Sequence, residues 1–151
     1  MVPVDFTSHT DTLVEYALQI AQAMAAEIKF VHIVESFSGY EMLLVHPSFE
    51  QISADLKVRA EQFMANLIDD NKARLADISG EVMVGEVVET LVECASQEDF
   101  DMIIVGTHGT KGLEKVLMGS VASKLTHNAP CPVLIVNPIS YFARKGGGGD
   151  K

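Results

Sequence analysis

The chain has 151 residues, of which 48 % are hydrophobic and 21 % charged, as is typical of one globular domain and not of a disordered or fibrous chain. Its formal net charge of −10 disfavours nucleic acid as a partner, because a polyanion would be brought against like charge. No apolar run approaches the roughly 20 residues of a membrane helix. We therefore predict a cytoplasmic protein that binds neither nucleic acid nor a membrane.

The first half of the chain alternates between predicted strands and helices. Residues 1–5 form an apolar run that ends in Asp5, and Thr7 or Ser8 can then cap a helix with regularly spaced apolar residues. Residues 28–34 are rich in β-branched side chains, which indicates a second strand covered on both faces. A long helix follows after an aperiodic stretch. Its inward-facing stripe is predicted to consist of Ile52, Leu56, Ala60, Phe63 and Leu67.

The second half of the chain continues the same alternation. Residues 81–84 predict a short third strand, which is followed by a third helix. Residues 101–105 form a buried fourth strand that ends at Gly106, and a glycine-rich loop leads to a helix that begins at Ser120. Residues 132–137 supply the last strand.

This order of elements predicts an α/β fold: a single doubly wound domain with a five-stranded parallel sheet and helices on both faces. We place the domain at residues 1–140 and a flexible tail at 141–151, because the tail ends in four glycines, Asp150 and Lys151. In such sheets, ligands bind beyond the carboxyl ends of the strands. The loops that carry Asp5 and Gly106 are therefore the predicted site.

The loop after the fourth strand contains four glycines between residues 106 and 119. Glycines let a ligand approach backbone N–H groups closely, and the helix that begins at Ser120 adds free N–H donors and a positive dipole end. Phosphate suits these donors, although glycines that serve only to make turns are an equally ordinary explanation. The loop matches neither the Walker pattern nor GxGxxG.

The spacing of this loop is more specific than its composition. Gly106, Gly109, Gly119 and Ser120 have the order glycine, two residues, glycine, nine residues, glycine, serine. In this spacing the sequence resembles the ATP-binding branch of the universal stress protein family. The likeness extends to the four other segments 2–5, 31–34, 101–105 and 130–136.

The resemblance implies a nucleotide site with a nucleoside end and a phosphate end. Asp5 would contact the nucleoside with Pro3 and Val4 close by, and Ile33 and Val105 would flank the adenine. The residues that would surround the ribose and phosphates are Gly106, His108, Gly109, Gly119, Ser120 and Val121. The implied ligand is ATP, with or without Mg²⁺.

Several single residues also have plainer explanations. Asp5 could be only a helix cap, although its place at a strand end favours binding. His108 could contact phosphate or act in acid–base chemistry, but it has no triad partner in the sequence, so we predict no catalytic residue. His32 is expected to be a hydrogen-bonded core histidine, and no metal site is predicted. Lys111 and Lys115 are secondary candidates for the phosphate tail, because loop lysines are commonly just solvated.

The last strand lies between Pro132 and Pro138 and is predicted to form a sheet edge. Such an edge can pair with a second copy, so a homodimer through Val133 to Val136 is expected, as the resemblance also implies. The predicted function is that of a nucleotide-dependent stress-response or signalling protein, which has at most weak ATPase activity. The alternatives are a stress protein that acts by protein interaction without nucleotide, and a Mg²⁺-dependent phosphohydrolase on the same site.

Overall fold

Strands and helices alternate along the whole described chain. The computed structural model describes residues 1–35, 48–107 and 118–137. In chain order, the elements are β1 (Val2–Pro3), α1 (Thr10–Met24), β2 (Ile28–Glu35), α2 (Ser48–Asn71), β3 (Ile78–Gly85), α3 (Val87–Gln97), β4 (Ile103–Gly106), α4 (Ser120–Asn128) and β5 (Val133–Val136).

All strand pairs are parallel, which confirms the predicted α/β class. One ladder has the order β1-β2-β3 and a second ladder joins β4 to β5. The two ladders meet at Met1, whose nitrogen donates to the Met102 carbonyl (2.8 Å) and whose carbonyl accepts from the Ile104 N–H (2.9 Å). The strands therefore lie side by side in the order β3-β2-β1-β4-β5.

The described strands do not form the predicted single five-stranded sheet, because the hydrogen bonds of Met1 join β1 to β4 without forming a ladder between them. Alternate residues of a central parallel strand bond to opposite neighbours. Val2 pairs with Phe30 of β2, and Met1 bonds to the β4 side, so Pro3 is the next residue that should donate to β4. Proline has no N–H to donate, and the two ladders consequently remain separate.

Two hydrophobic clusters cover the two faces of the strands. On one face, α1 and α2 contribute Ala17, Leu18 and Met64, which pack with Phe30 of β2. On the other face, α3 and α4 contribute Leu91 and Leu125, which pack with Val31 and Ile103. The expected arrangement of helices on both faces is confirmed. No helix within the described residues is long and apolar enough to cross a membrane.

The predicted inward stripe of α2 is partly wrong. Ala60 and Met64 are buried, whereas Ile52, Leu56 and Phe63 are exposed, Phe63 by 56 %. Met64 can face the sheet because Gly80 of β3 has no side chain, and a Cβ there would collide with the Met64 sulfur. The helix is thus rotated so that Ala60 and Met64 form the centre of its packed face.

Candidate functional site

Met1 hydrogen-bonds to both Met102 and Ile104, so β1 and β4 are neighbours at their amino ends. Because the two strands run in the same direction, their carboxyl ends lie at one edge. The turn from β1 into α1 and the connection from β4 into α4 therefore begin at the same edge. This is the position predicted for a ligand in a doubly wound fold.

The start of α4 is tied to the end of β4. The Gly119 N–H donates to the Thr107 carbonyl at 2.7 Å, and a Cβ on residue 119 would lie 2.9 Å from that oxygen. The backbone angles of Gly119, φ −65° and ψ 156°, are open to any L-residue. Glycine is required here for space, not for an unusual conformation.

The first turn of α4 presents backbone donors at this edge. The first intrahelical bond runs from the Ser123 N–H to the Gly119 carbonyl at 2.9 Å. An α-helix leaves the preceding N–H groups, here those of Ser120, Val121 and Ala122, without partners inside the helix. Gly119 is the N-cap and supplies no side-chain acceptor, and the first turn contains no acidic residue. These donors and the positive end of the helix dipole suit an anion.

Asp5 organises the turn between β1 and α1. Its Oδ1 accepts from the Thr7 N–H (3.1 Å), the Thr7 hydroxyl (2.7 Å) and the Thr10 hydroxyl (3.3 Å). Asp5 is therefore not the helix cap of its plainer explanation, because the N-cap of α1 is His9; it stabilises the turn that precedes the helix. Within the described part of the chain, no donor bonds Oδ2, so one oxygen can still accept from a ligand.

The helix cap predicted at Thr7 or Ser8 is wrong. The N-cap of α1 is His9, which makes no side-chain capping bond. Thr7 is instead engaged in the turn, since its hydroxyl donates to Asp5 and accepts from the His9 N–H at 3.4 Å.

The two residues predicted to flank the adenine, Ile33 and Val105, are both buried in the cluster under α3 and α4. Val4 packs in the cluster on the opposite face, while Pro3, Gly106 and Val121 are half-buried. The strand ends therefore bring these residues to one edge but distribute them over both faces. The remaining predicted contacts, His108 and Gly109, and the loop lysines Lys111 and Lys115, lie outside the described residues.

Comparisons with known proteins identify the family. A sequence model of the Universal stress protein family matches residues 1–137. The chain belongs to the universal stress protein family. It is 31 % identical over 136 residues to Universal stress protein MJ0531 of Methanocaldococcus jannaschii, an alignment that covers 90 % of this chain and 79 % of that protein.

Solved structures show the same universal stress protein fold. The structure of MJ0577, from the same archaeon, has a TM-score of 0.79 at 23 % identity, with 90 % of this chain and 93 % of that chain covered. A universal stress protein solved in complex with cAMP has a TM-score of 0.65 at 25 % identity, with 91 % of this chain and 94 % of that chain covered.

Sequence analysis did not predict one cluster of rings at this edge, formed by Phe6, His32 and Phe63. Phe6 has a left-handed backbone, with φ 55°, and its ring lies 4.6 Å from the His32 ring and 5.5 Å from the Phe63 ring, centroid to centroid. The expectation that His32 is hydrogen-bonded is confirmed, since its Nδ1 lies 2.8 Å from the Val4 carbonyl. The sequence showed a phenylalanine after Asp5, but nothing in the pattern indicated a positive φ.

Proposed function

We propose that this universal stress protein binds ATP, with or without Mg²⁺, at the edge shared by β1 and β4. The observation that carries the proposal is the start of α4, where Gly119 lies against the Thr107 carbonyl and the next three N–H groups have no partner within the helix. A phosphate group is the common ligand of such a helix start. A known relative in complex with cAMP supports a nucleotide as the ligand class.

The polarity of the site matches that of a nucleotide. The donors at the start of α4 suit the phosphates, while the Asp5 carboxylate suits hydroxyl groups, which can donate to it. The ribose of a nucleotide offers such hydroxyls at the end away from the terminal phosphates. The proposed contacts are Pro3, Val4, Asp5, Ile33, Val105, Gly106, His108, Gly109, Gly119, Ser120 and Val121.

We assign this protein a binding role with at most slow hydrolysis. Phosphoryl transfer requires a group that positions or activates the attacking water. Asp5 is assigned to the ribose hydroxyls, at the end away from the terminal phosphates, so its carboxylate is poorly placed to activate a water that attacks there. ATP would then act by stabilising one conformation or assembly, because a ligand that binds only the folded form adds stability by mass action.

The proposed assembly is a homodimer through Val133 to Val136. Within the described residues, β5 pairs only with β4, and Leu134 is 38 % exposed. A second copy could pair with the open side of this strand.

The first test is to denature freshly purified protein and identify any released nucleotide by chromatography and mass spectrometry. Calorimetric titration with ATP, with and without Mg²⁺, then measures binding directly. Released ATP or ADP, or saturable ATP binding, supports the proposal. If no nucleotide is released and no ATP binds, the proposal is wrong and a function by protein interaction alone is favoured. Rapid Mg²⁺-dependent turnover of ATP would favour the phosphohydrolase.

A further inference from the structure

We propose that His32 is a positioning residue that holds Asp5 in the orientation that binds the nucleoside. This inference rests on the proposed function, because it concerns how the nucleoside end of that site is built. His32 contacts the residue on each side of Asp5, the Val4 carbonyl by a hydrogen bond and the Phe6 side chain by a ring contact.

The residue before Asp5 is fixed by a hydrogen bond from His32. The register between β1 and β2 pairs Val2 with Phe30 and Pro3 with Val31, so Val4 is next opposite His32. The Val4 N–H still bonds to the Val31 carbonyl at 2.9 Å. The Val4 carbonyl, however, lies 2.8 Å from Nδ1 of the His32 ring. A side chain of β2 therefore orients the peptide that joins Val4 to Asp5.

The direction of this hydrogen bond determines which ring nitrogen of His32 carries a proton. A carbonyl oxygen can only accept, so Nδ1 of His32 carries the proton and donates. A phenylalanine at position 32 would keep an aromatic ring but could not donate. The donor and ring contributions of His32 can thus be separated by substitution.

The residue after Asp5 is fixed by ring contacts. Phe6 has φ 55°, a left-handed conformation that costs a residue with a bulky side chain and persists only where its surroundings impose it. The Phe6 ring lies 4.6 Å from the His32 ring. His32 therefore contacts both neighbours of Asp5, one through Nδ1 and the other through its ring face.

These contacts leave Asp5 little freedom to rotate. Its Oδ1 is held by Thr7 and Thr10, and His32 contacts the Val4 carbonyl before it and the Phe6 ring after it. Such pre-organisation improves affinity, because the Asp5 side chain is already ordered before the ligand binds. Loss of His32 would weaken specifically those ligand contacts that Asp5 makes.

The test compares ATP with 2′,3′-dideoxy-ATP, which lacks the ribose hydroxyls that Asp5 would accept from. By calorimetry, wild-type protein should bind ATP about tenfold more tightly than the dideoxy compound, equivalent to about 1.4 kcal/mol. In His32→Phe this preference should fall below about threefold, because the Val4 carbonyl loses its donor and the peptide that precedes Asp5 is no longer oriented. His32→Asn places an amide donor near the Nδ1 position and should recover part of the preference.

The matched control is His127→Phe. His127 lies in the last turn of α4 and also has its Nδ1 2.8 Å from a carbonyl, that of Ser123, but it is at the opposite end of that helix from Gly119. Its substitution should leave the preference for ATP unchanged. If His32→Phe does not fold, as judged by circular dichroism, Phe6→Leu removes the ring contact with His32, which His32→Phe would retain, and should also reduce the preference because Asp5 then loses the contact on its other side.

The possible failures are distinguishable. Wild-type protein that binds neither nucleotide overturns the proposed function, and the inference with it. If wild-type protein binds ATP and dideoxy-ATP equally, Asp5 does not accept from the ribose hydroxyls, and the proposed role of His32 is wrong. If His32→Phe weakens both nucleotides by the same factor, or weakens neither, His32 has only a structural role and the inference alone is wrong.

Discussion

The Gly119 N–H donates to the Thr107 carbonyl at 2.7 Å, a hydrogen bond that joins the residue after β4 to the residue before α4. It fixes the helix start relative to the end of the neighbouring strand. The direction in which the first N–H groups of α4 point is set by the same contact. The proposed phosphate site therefore depends on how closely these two backbones approach.

We predict that Gly119→Val lowers ATP affinity at least about tenfold while the protein still folds. A Cβ at this position would lie 2.9 Å from the Thr107 oxygen, so the helix start must shift away from β4. Because the backbone angles of Gly119 are ordinary for an L-residue, the change adds crowding without conformational strain. Calorimetric titration with ATP measures the affinity, and circular dichroism checks the fold.

Gly80→Ala is the matched control for crowding. Gly80 lies in the amino-terminal half of β3, away from the site. Its new Cβ would collide with the side chains of Met64 and Ile68 of α2. It should lower stability by about 1–3 kcal/mol and leave ATP affinity unchanged. Equal loss of affinity in both variants, or unchanged affinity in Gly119→Val, would contradict the assignment of the phosphate site.

Local patterns in the sequence predicted most of the architecture. Apolar and β-branched runs identified the strands, and the predicted start of α4 at Ser120 is where the structure has it. Each of these features depends on a few neighbouring residues. That is why they could be recognised without knowledge of the tertiary contacts.

The features that were missed depend on contacts between distant segments. The rotation of α2 depends on Gly80, which leaves space for the Met64 side chain although it lies 16 residues further along the chain. The positive φ of Phe6 depends on rings at positions 32 and 63. Thr7 is a residue type that commonly caps helices, but its hydroxyl bonds to Asp5 instead. In these three cases, tertiary contacts determine the structure, and the local sequence pattern does not indicate them.

Lys29 joins two carboxylates across β2, β3 and the end of α3. Its Nζ lies 2.7 Å from Glu81 and 2.6 Å from Glu98. Burial alone would lower the pKa of Lys29, but the hydrogen bonds to Glu81 and Glu98 outweigh it, and the pKa is raised above its usual value. Since the folded-state pKa is the higher one, this stabilisation is complete at neutral pH and is lost as the pH rises through the folded-state pKa.

We predict that Lys29→Met lowers the free energy of unfolding at pH 7 by about 1 kcal/mol, a small value because solvent screens the partly exposed carboxylates. The difference from wild type should shrink in strongly alkaline solution, where the lysine of the wild type is neutral. Urea unfolding at both pH values measures it. Lys72→Met removes a well-exposed pair with Asp69 and should have no measurable effect. A difference for Lys29→Met that does not depend on pH would contradict the ionic explanation.

Ala25 ends α1 in a left-handed conformation, with φ 50° and ψ 45°, and its N–H bonds to the carbonyls of Ala21 and Gln22. Glycine adopts this conformation without the steric penalty of a Cβ. Ala25→Gly should therefore stabilise the protein by roughly 0.5–1 kcal/mol, after the greater freedom of glycine in the unfolded chain is subtracted. The midpoint of urea unfolding measures the change.

The control for this helix end is Ala23→Gly, since Ala23 is also exposed but lies inside α1. There glycine should destabilise the protein by about 0.5–1 kcal/mol. Opposite signs for two identical substitutions, two residues apart, would show that the backbone conformation decides the effect. The same sign for both would contradict it.

Leu134 lies on β5, which pairs with β4 alone within the described residues, and 38 % of its surface is exposed. If a second copy covers this strand, a lysine here would place a charge in the interface, and burying it is unfavourable unless it is paired. Leu134→Lys should therefore shift sedimentation velocity profiles from dimer towards monomer at the same protein concentration. Met24→Lys is the matched control, because Met24 is 61 % exposed at the end of α1 and belongs to a different surface. A dimer that persists in Leu134→Lys, or that dissociates equally in both variants, would exclude β5 as the specific contact.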